Sequence, residues 1–100
     1  GFYIADSAAP QLTGNTSNAN TGSGFVWSDQ ASGVASNNTA QNNLSGFLLY
    51  GGASPQLTGN TSNANTDFGF AWSDQTSGVG PTNTAQNNSA GDFYDGTSGN

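Results

Sequence analysis

The chain has 100 residues and no Lys, Arg, His, Glu, Cys or Met, so its net charge of −6 comes from Asp alone. Without cations it has nothing to neutralise phosphate, and neither nucleic acid nor insertion at an anionic membrane is expected; without Cys it has no disulfide staples and no thiolate metal site. Charged residues make up 6% of the chain against about 25% in ordinary soluble domains. An uncharged, Asn- and Gln-rich composition points to β stacking instead of charge-driven disorder.

Glycine recurs at Gly1, Gly24, Gly46, Gly69 and Gly91, with spacings of 23, 22, 23 and 22 residues. A single repeat domain over residues 1–100 is expected, built of coils 1–23, 24–45, 46–68 and 69–90 and a partial coil 91–100. Coils one and three resemble each other, as do two and four. Pro10–Ser45 and Pro55–Ala90 share 27 of 36 positions, which makes two 45-residue tandem repeats plus a stub. Repeats of this period form arrays in which each unit buries its apolar face only against its neighbours. The expected fold is all-β: a parallel β-solenoid, a cross-β-like stack of 22–23-residue coils with about two strands each.

Each coil opens on a segment with period-two apolar residues, a strand signal. Phe2, Phe25, Phe47 and Phe70 form one column, and Ile4, Trp27, Leu49 and Trp72 the next. Turns follow at SAAPQ, QASGV, GASPQ and QTSGV, whose Pro and Gly cannot sit inside a helix. Leu12, Val34, Leu57 and Val79 complete the expected core. Leu12 and Leu57 fall one position away from Val34 and Val79, which predicts a bulge or a different corner separating odd from even coils. The polar half of each coil aligns Asn15, Asn38, Asn60 and Asn83, then Thr16, Thr39, Thr61 and Thr84, then Asn20, Asn43, Asn65 and Asn88. Strands stacked about 4.8 Å apart let identical amides hydrogen-bond along the stack, so these columns are predicted to be ladders.

Candidate chemistry is sparse. With no His, Cys, Lys or Glu, the usual bases and activated nucleophiles are missing and no enzyme, cofactor or metal site is expected. Asp6, Asp29 and Asp74 share a column interrupted by Gly51; a solvated corner is the expected reading, ahead of paired acid–base or Ca²⁺ chemistry. The Thr column could belong to an ice-ordering face, but its companion column, Thr13 and Thr58, is broken by Ser36 and Pro81. Asn-x-Ser/Thr sequons at Asn15, Asn37, Asn43, Asn60 and Asn87 are possible glycan acceptors if the chain is secreted. Trp27 and Trp72 are expected in the core ahead of a sugar-stacking platform, with Tyr3, Tyr50 and Tyr94 better placed for exposed contacts.

In its period, in its Gly/Asn/Ser/Gln richness and in its strand–turn–strand layout, the whole chain resembles the curlin repeat of bacterial functional amyloids, although the curlin Gln-x-Gly-x-Gly-Asn motif is not matched. The resemblance implies a secreted β-solenoid subunit that polymerises into matrix fibres. The bare strand at Gly1–Ile4 and the stub GDFYDGTSGN, with no charged cap, predict the same end-to-end addition of copies. The expected function is a structural subunit of an extracellular self-assembling filament, whether biofilm matrix, surface or adhesive fibre. Two alternatives are a soluble ice-binding or adhesin repeat module, and a strand-donating β-sandwich built of antiparallel meanders.

Overall fold

A computed structural model describes residues 1–74, 79–80 and 82–97, with Asp74 and Thr97 described by backbone alone. Coil one supplies β1 (Phe2–Ile4), β2 (Gln11–Thr13) and β3 (Thr16–Asn18). Coil two supplies β4 (Phe25–Trp27), β5 (Val34–Ser36) and β6 (Thr39–Gln41). In coil three these become β7 (Phe47–Leu49), β8 (Gln56–Thr58) and β9 (Thr61–Asn63). Coil four contributes β10 (Phe68–Asp74) and β11 (Thr84–Gln86), and β12 (Gly91–Thr97) follows.

Like strands stack on like. The first sheet runs β1-β4-β7-β10-β12, the second β2-β5-β8, and the third β3-β6-β9-β11. Every pairing between these strands is parallel. The antiparallel sandwich alternative is therefore wrong, because a coil that returns to its own start one layer higher can pair only in parallel.

The coil has three strands rather than the two expected. Its polar half is folded in the middle by a left-handed residue, at Gly14 (φ 67°), Asn37 (φ 56°) and Gly59 (φ 66°), with a ladder asparagine directly after it. A second corner of the same kind follows at Ala19, Asn42, Ala64 and Asn87, again one residue before a ladder asparagine. A third lies at Asp6, Asp29 and Gly51. Gly, Asn and Asp visit this region readily, whereas Ala does so under strain.

Phe25, Phe47, Leu49 and Phe70 are fully buried, with Trp27, Leu57 and Ile4 nearly so. Phe2, Leu12, Trp72 and Val79 pack against this core while only partly covered. The rings of Phe2, Phe25, Phe47, Phe70 and Phe93 form one continuous stack, with centroids 4.8, 4.7, 4.7 and 5.3 Å apart and planes within 8° of parallel. In-register pairing of the backbones imposes that spacing, which lies within the favourable range for aromatic pairs.

Val34 departs from expectation: it lies on the outer surface. Its strand keeps the register Leu12↔Ala35↔Leu57, which turns Ala35 inward and pairs Val34 with Gln11 and Gln56. No bulge separates coil two from the odd coils. The extra residue falls in coil four alone, where Val79 bridges Leu57 and stands four residues before Asn83 instead of three. The expected turn at residues 75–78 and Pro81 lie outside the described residues.

The register also moves the start of the last coil. Phe70 pairs with Phe93 and Phe68 with Gly91, so the position held by Gly1, Gly24, Gly46 and Gly69 is taken by Asp92, not by Gly91.

Candidate functional site

Two asparagine columns run the length of the stack; a left-handed corner residue precedes every rung of the second and the first three rungs of the first. In the first, Oδ1 of each rung accepts both the backbone N–H and the Nδ2 amide of the rung before it. Asn15 donates to Asn38 at 2.8 and 3.1 Å, Asn38 to Asn60 at 2.9 and 3.0 Å, and Asn60 to Asn83 at 3.0 and 2.9 Å. The second hydrogen on Nδ2 goes back to a carbonyl in the preceding coil: Asn38 to Leu12, Asn60 to Ala35 and Asn83 to Leu57. An interior rung thus uses both of its donors and both lone pairs of its acceptor. That is full satisfaction of a buried amide, and neither Asp nor Ser could provide it.

The second column repeats the pattern. Asn20 donates to Asn43 through N at 3.0 Å and Nδ2 at 2.8 Å, and Asn65 to Asn88 at 3.0 and 2.7 Å. The Asn43 backbone N–H reaches Asn65 Oδ1 at 2.9 Å, and Nδ2 of Asn43 and of Asn88 return to the carbonyls of Ser17 and Ser62. Both ladders are directional: the rung-to-rung N–H donors face the C-terminal end of the stack and the Oδ1 acceptors the other.

The second ladder rests on small residues that sequence reading passed over. Ser17, Ala40 and Ser62 are buried beneath the third sheet. Ser17 and Ser62 donate to the carbonyls of Gly24 and Gly69 at 2.9 and 2.8 Å, and accept Nδ2 of Asn20 and Asn65. The available signal was a serine three residues before the ladder asparagine in both odd coils.

Thr16, Thr39, Thr61 and Thr84 are in register on the outer face of the third sheet, none of them buried. They form a solvent-facing hydroxyl column, not an interior ladder. Thr13, Ser36 and Thr58 align on the second sheet. Asp6, Asp29 and Gly51 line an open depression with Ser7 and Gln30; Asp6 and Asp29 are exposed, and the Asp74 carboxylate lies outside the described residues. Among the described residues, no three potential metal ligands gather.

The five sequons separate sharply. Asn43 and Asn60 are buried ladder rungs, so the folded chain has no room there for a glycan, whereas Asn15 is half-buried and donates one Nδ2 hydrogen to Asn38. Asn37 and Asn87 are exposed.

Trp27 is core. Trp72 borders a groove of about 220 Å³ with Leu44, Leu48, Phe68 and Tyr94, where the Phe68 and Tyr94 rings stack at 4.6 Å. Tyr3 and Tyr94 are exposed. The Tyr3 hydroxyl meets Ser28 Oγ at 3.1 Å. Its hydrogen bond with Tyr50, aided by burial, pushes the Tyr50 phenol above its ordinary range.

A family model described as a right handed beta helix region matches residues 1–100, the entire chain. No curated protein and no solved structure matches it.

Proposed function

The chain belongs to the right-handed β-helix family, and on that footing we propose that it is a non-catalytic structural element of an extracellular filament, extended by axial stacking of coils from further copies of itself. The observation that carries this reading is the pair of unbroken asparagine ladders. They concentrate directional, desolvated hydrogen bonds along one axis, which is what a rod under tension needs. The stacked phenylalanines add a dry column on the same axis. The charge of −6 disfavours polyanion binding, and the exposed Asn37 and Asn87 are where glycans would sit in a secreted fibre. Purified chain examined by electron microscopy should form unbranched filaments, and replacing Asn38 and Asn83 together by Ala should slow their growth or weaken them. Persistently single particles at high concentration would sink the filament reading.

Ice binding is the second reading, favoured by one observation: Thr16, Thr39, Thr61 and Thr84 form an in-register outward column on a parallel sheet. Thermal hysteresis of dilute, unassembled chain that disappears on replacing Thr39 and Thr61 by bulky residues would favour it over the filament.

A further inference from the structure

The position before the stacked phenylalanine is glycine in four successive coils, and the reason is space. A Cβ on Gly1, Gly24, Gly46 or Gly69 would lie 2.7, 2.9, 2.7 or 2.6 Å from the carbonyl oxygen of the same position in the next coil. On Gly24 and Gly69 it would also meet Nδ2 of Asn43 and Asn88, at 2.8 and 2.6 Å. A side chain at this corner and a coil stacked above it at strand spacing exclude one another. Asp92 is the first residue in the series to carry one.

Its carboxylate has a second effect. Asn65 donates its backbone N–H and Nδ2 to Asn88 Oδ1. Asn88 makes the same two donations at 3.3 and 3.0 Å, but to Asp92 Oδ1, four residues along its own chain. Asp92 thus sits where the next rung's carbonyl would be, and a carboxylate has no hydrogen with which to continue the ladder.

We propose that Asp92 is a built-in stop: it completes the second asparagine ladder from within the chain and blocks the corner on which a further coil would dock. The partner whose docking it controls is another coil of the same kind, foremost that of a second copy of this chain. The proposal rests on the axial assembly proposed above and makes Asp92 the brake on it. Displacing the side chain becomes the slow step of axial addition.

The test uses the full chain with Asp92→Gly, Asp92→Ala and Asp92→Asn. In dilute, unassembled protein, amide exchange at Asn88 should quicken roughly tenfold or more in Asp92→Ala, which removes the acceptor, and stay slow in Asp92→Asn, which keeps it. In concentrated protein followed by light scattering and electron microscopy, Asp92→Gly should shorten the lag before filaments appear by roughly tenfold. Asp92→Ala should not, because its Cβ still fills the corner. Unchanged Asn88 exchange in Asp92→Ala, or equal lags for the Gly and Ala variants, overturns the stop. Filaments from none of the chains, with Asn88 exchange behaving as described, overturns the filament reading and leaves the closed ladder standing.

Discussion

Asn60 Oδ1 accepts two hydrogen bonds from Asn38, from the backbone N–H at 2.9 Å and from Nδ2 at 3.0 Å, with both residues fully buried. Replacing Asn60 by Ala strands both donors in a dry interior and also removes Asn60's own bonds to Ala35 and Asn83. Each stranded group costs about 1–3 kcal/mol, so urea denaturation should show a loss of about 3 kcal/mol or more. Asn18→Ala, at an exposed position of the same coil type, should change stability by no more than about 0.5 kcal/mol.

Phe47 and Val34 make a second contrast. Pattern alone places both in the core, yet Phe47 is sealed between Phe25 and Phe70 and Val34 is exposed. Phe47→Ala should cost about 3–5 kcal/mol in thermal or chemical unfolding. Val34→Ala should fall within about 0.5 kcal/mol of the parent chain.

Ala64 occupies a corner at φ 54°, a conformation that costs an L-residue with a Cβ about 1–2 kcal/mol. Ala64→Gly removes that strain and gives back about 0.4–1 kcal/mol through the freer unfolded chain. A net gain of about 0.5–1 kcal/mol is expected, read as a raised denaturation midpoint at unchanged slope.

The Tyr50 phenol is held above its ordinary value by its hydrogen bond with Tyr3 and by burial. A folded-state pKa raised above the unfolded value means the contribution is complete below pH 10, the usual tyrosine range, and is lost as pH rises through the folded value. Stability should therefore fall at alkaline pH. Tyr50→Phe should flatten that fall, which denaturation midpoints measured from pH 8 to 12 would check.

Chain expressed in a glycosylating host and analysed by mass spectrometry should carry sugar at Asn37 and Asn87. Asn43 and Asn60 should stay bare in folded material, since both are buried and the Nδ2 of each is held by a backbone carbonyl. Occupancy at Asn60 in folded protein would contradict the ladder directly.

The stacking itself was legible in the sequence, because a parallel coil places residue i over residue i+22 or i+23 and identity at that spacing betrays the register. The two asparagine columns and the phenylalanine column could be written down from the repeat alone. The number of sides could not: the break between the second and third strands is a single left-handed residue, and Gly14, Asn37 and Gly59 look like ordinary members of a polar run. Hydrophobicity alone points to Val34 as the core residue, but register places the smaller Ala35 there. Asp92 is hidden in the sequence because Gly91 beside it carries the repeating glycine's identity but not its place in the stack. The curlin likeness rested on period and composition, which several kinds of coil share, whereas the family match is to the right-handed β-helix.

The most direct measurement is the detection of scalar couplings through hydrogen bonds between side chains, in uniformly ¹⁵N,¹³C-labelled chain. Nδ2 of Asn38 should couple to Cγ of Asn60, Nδ2 of Asn60 to Cγ of Asn83, and the backbone nitrogen of Asn43 to Cγ of Asn65, all with slow solvent exchange. Absent couplings, with those amides exchanging as fast as the exposed Asn37 and Asn87, would mean that the coils do not stack in this register.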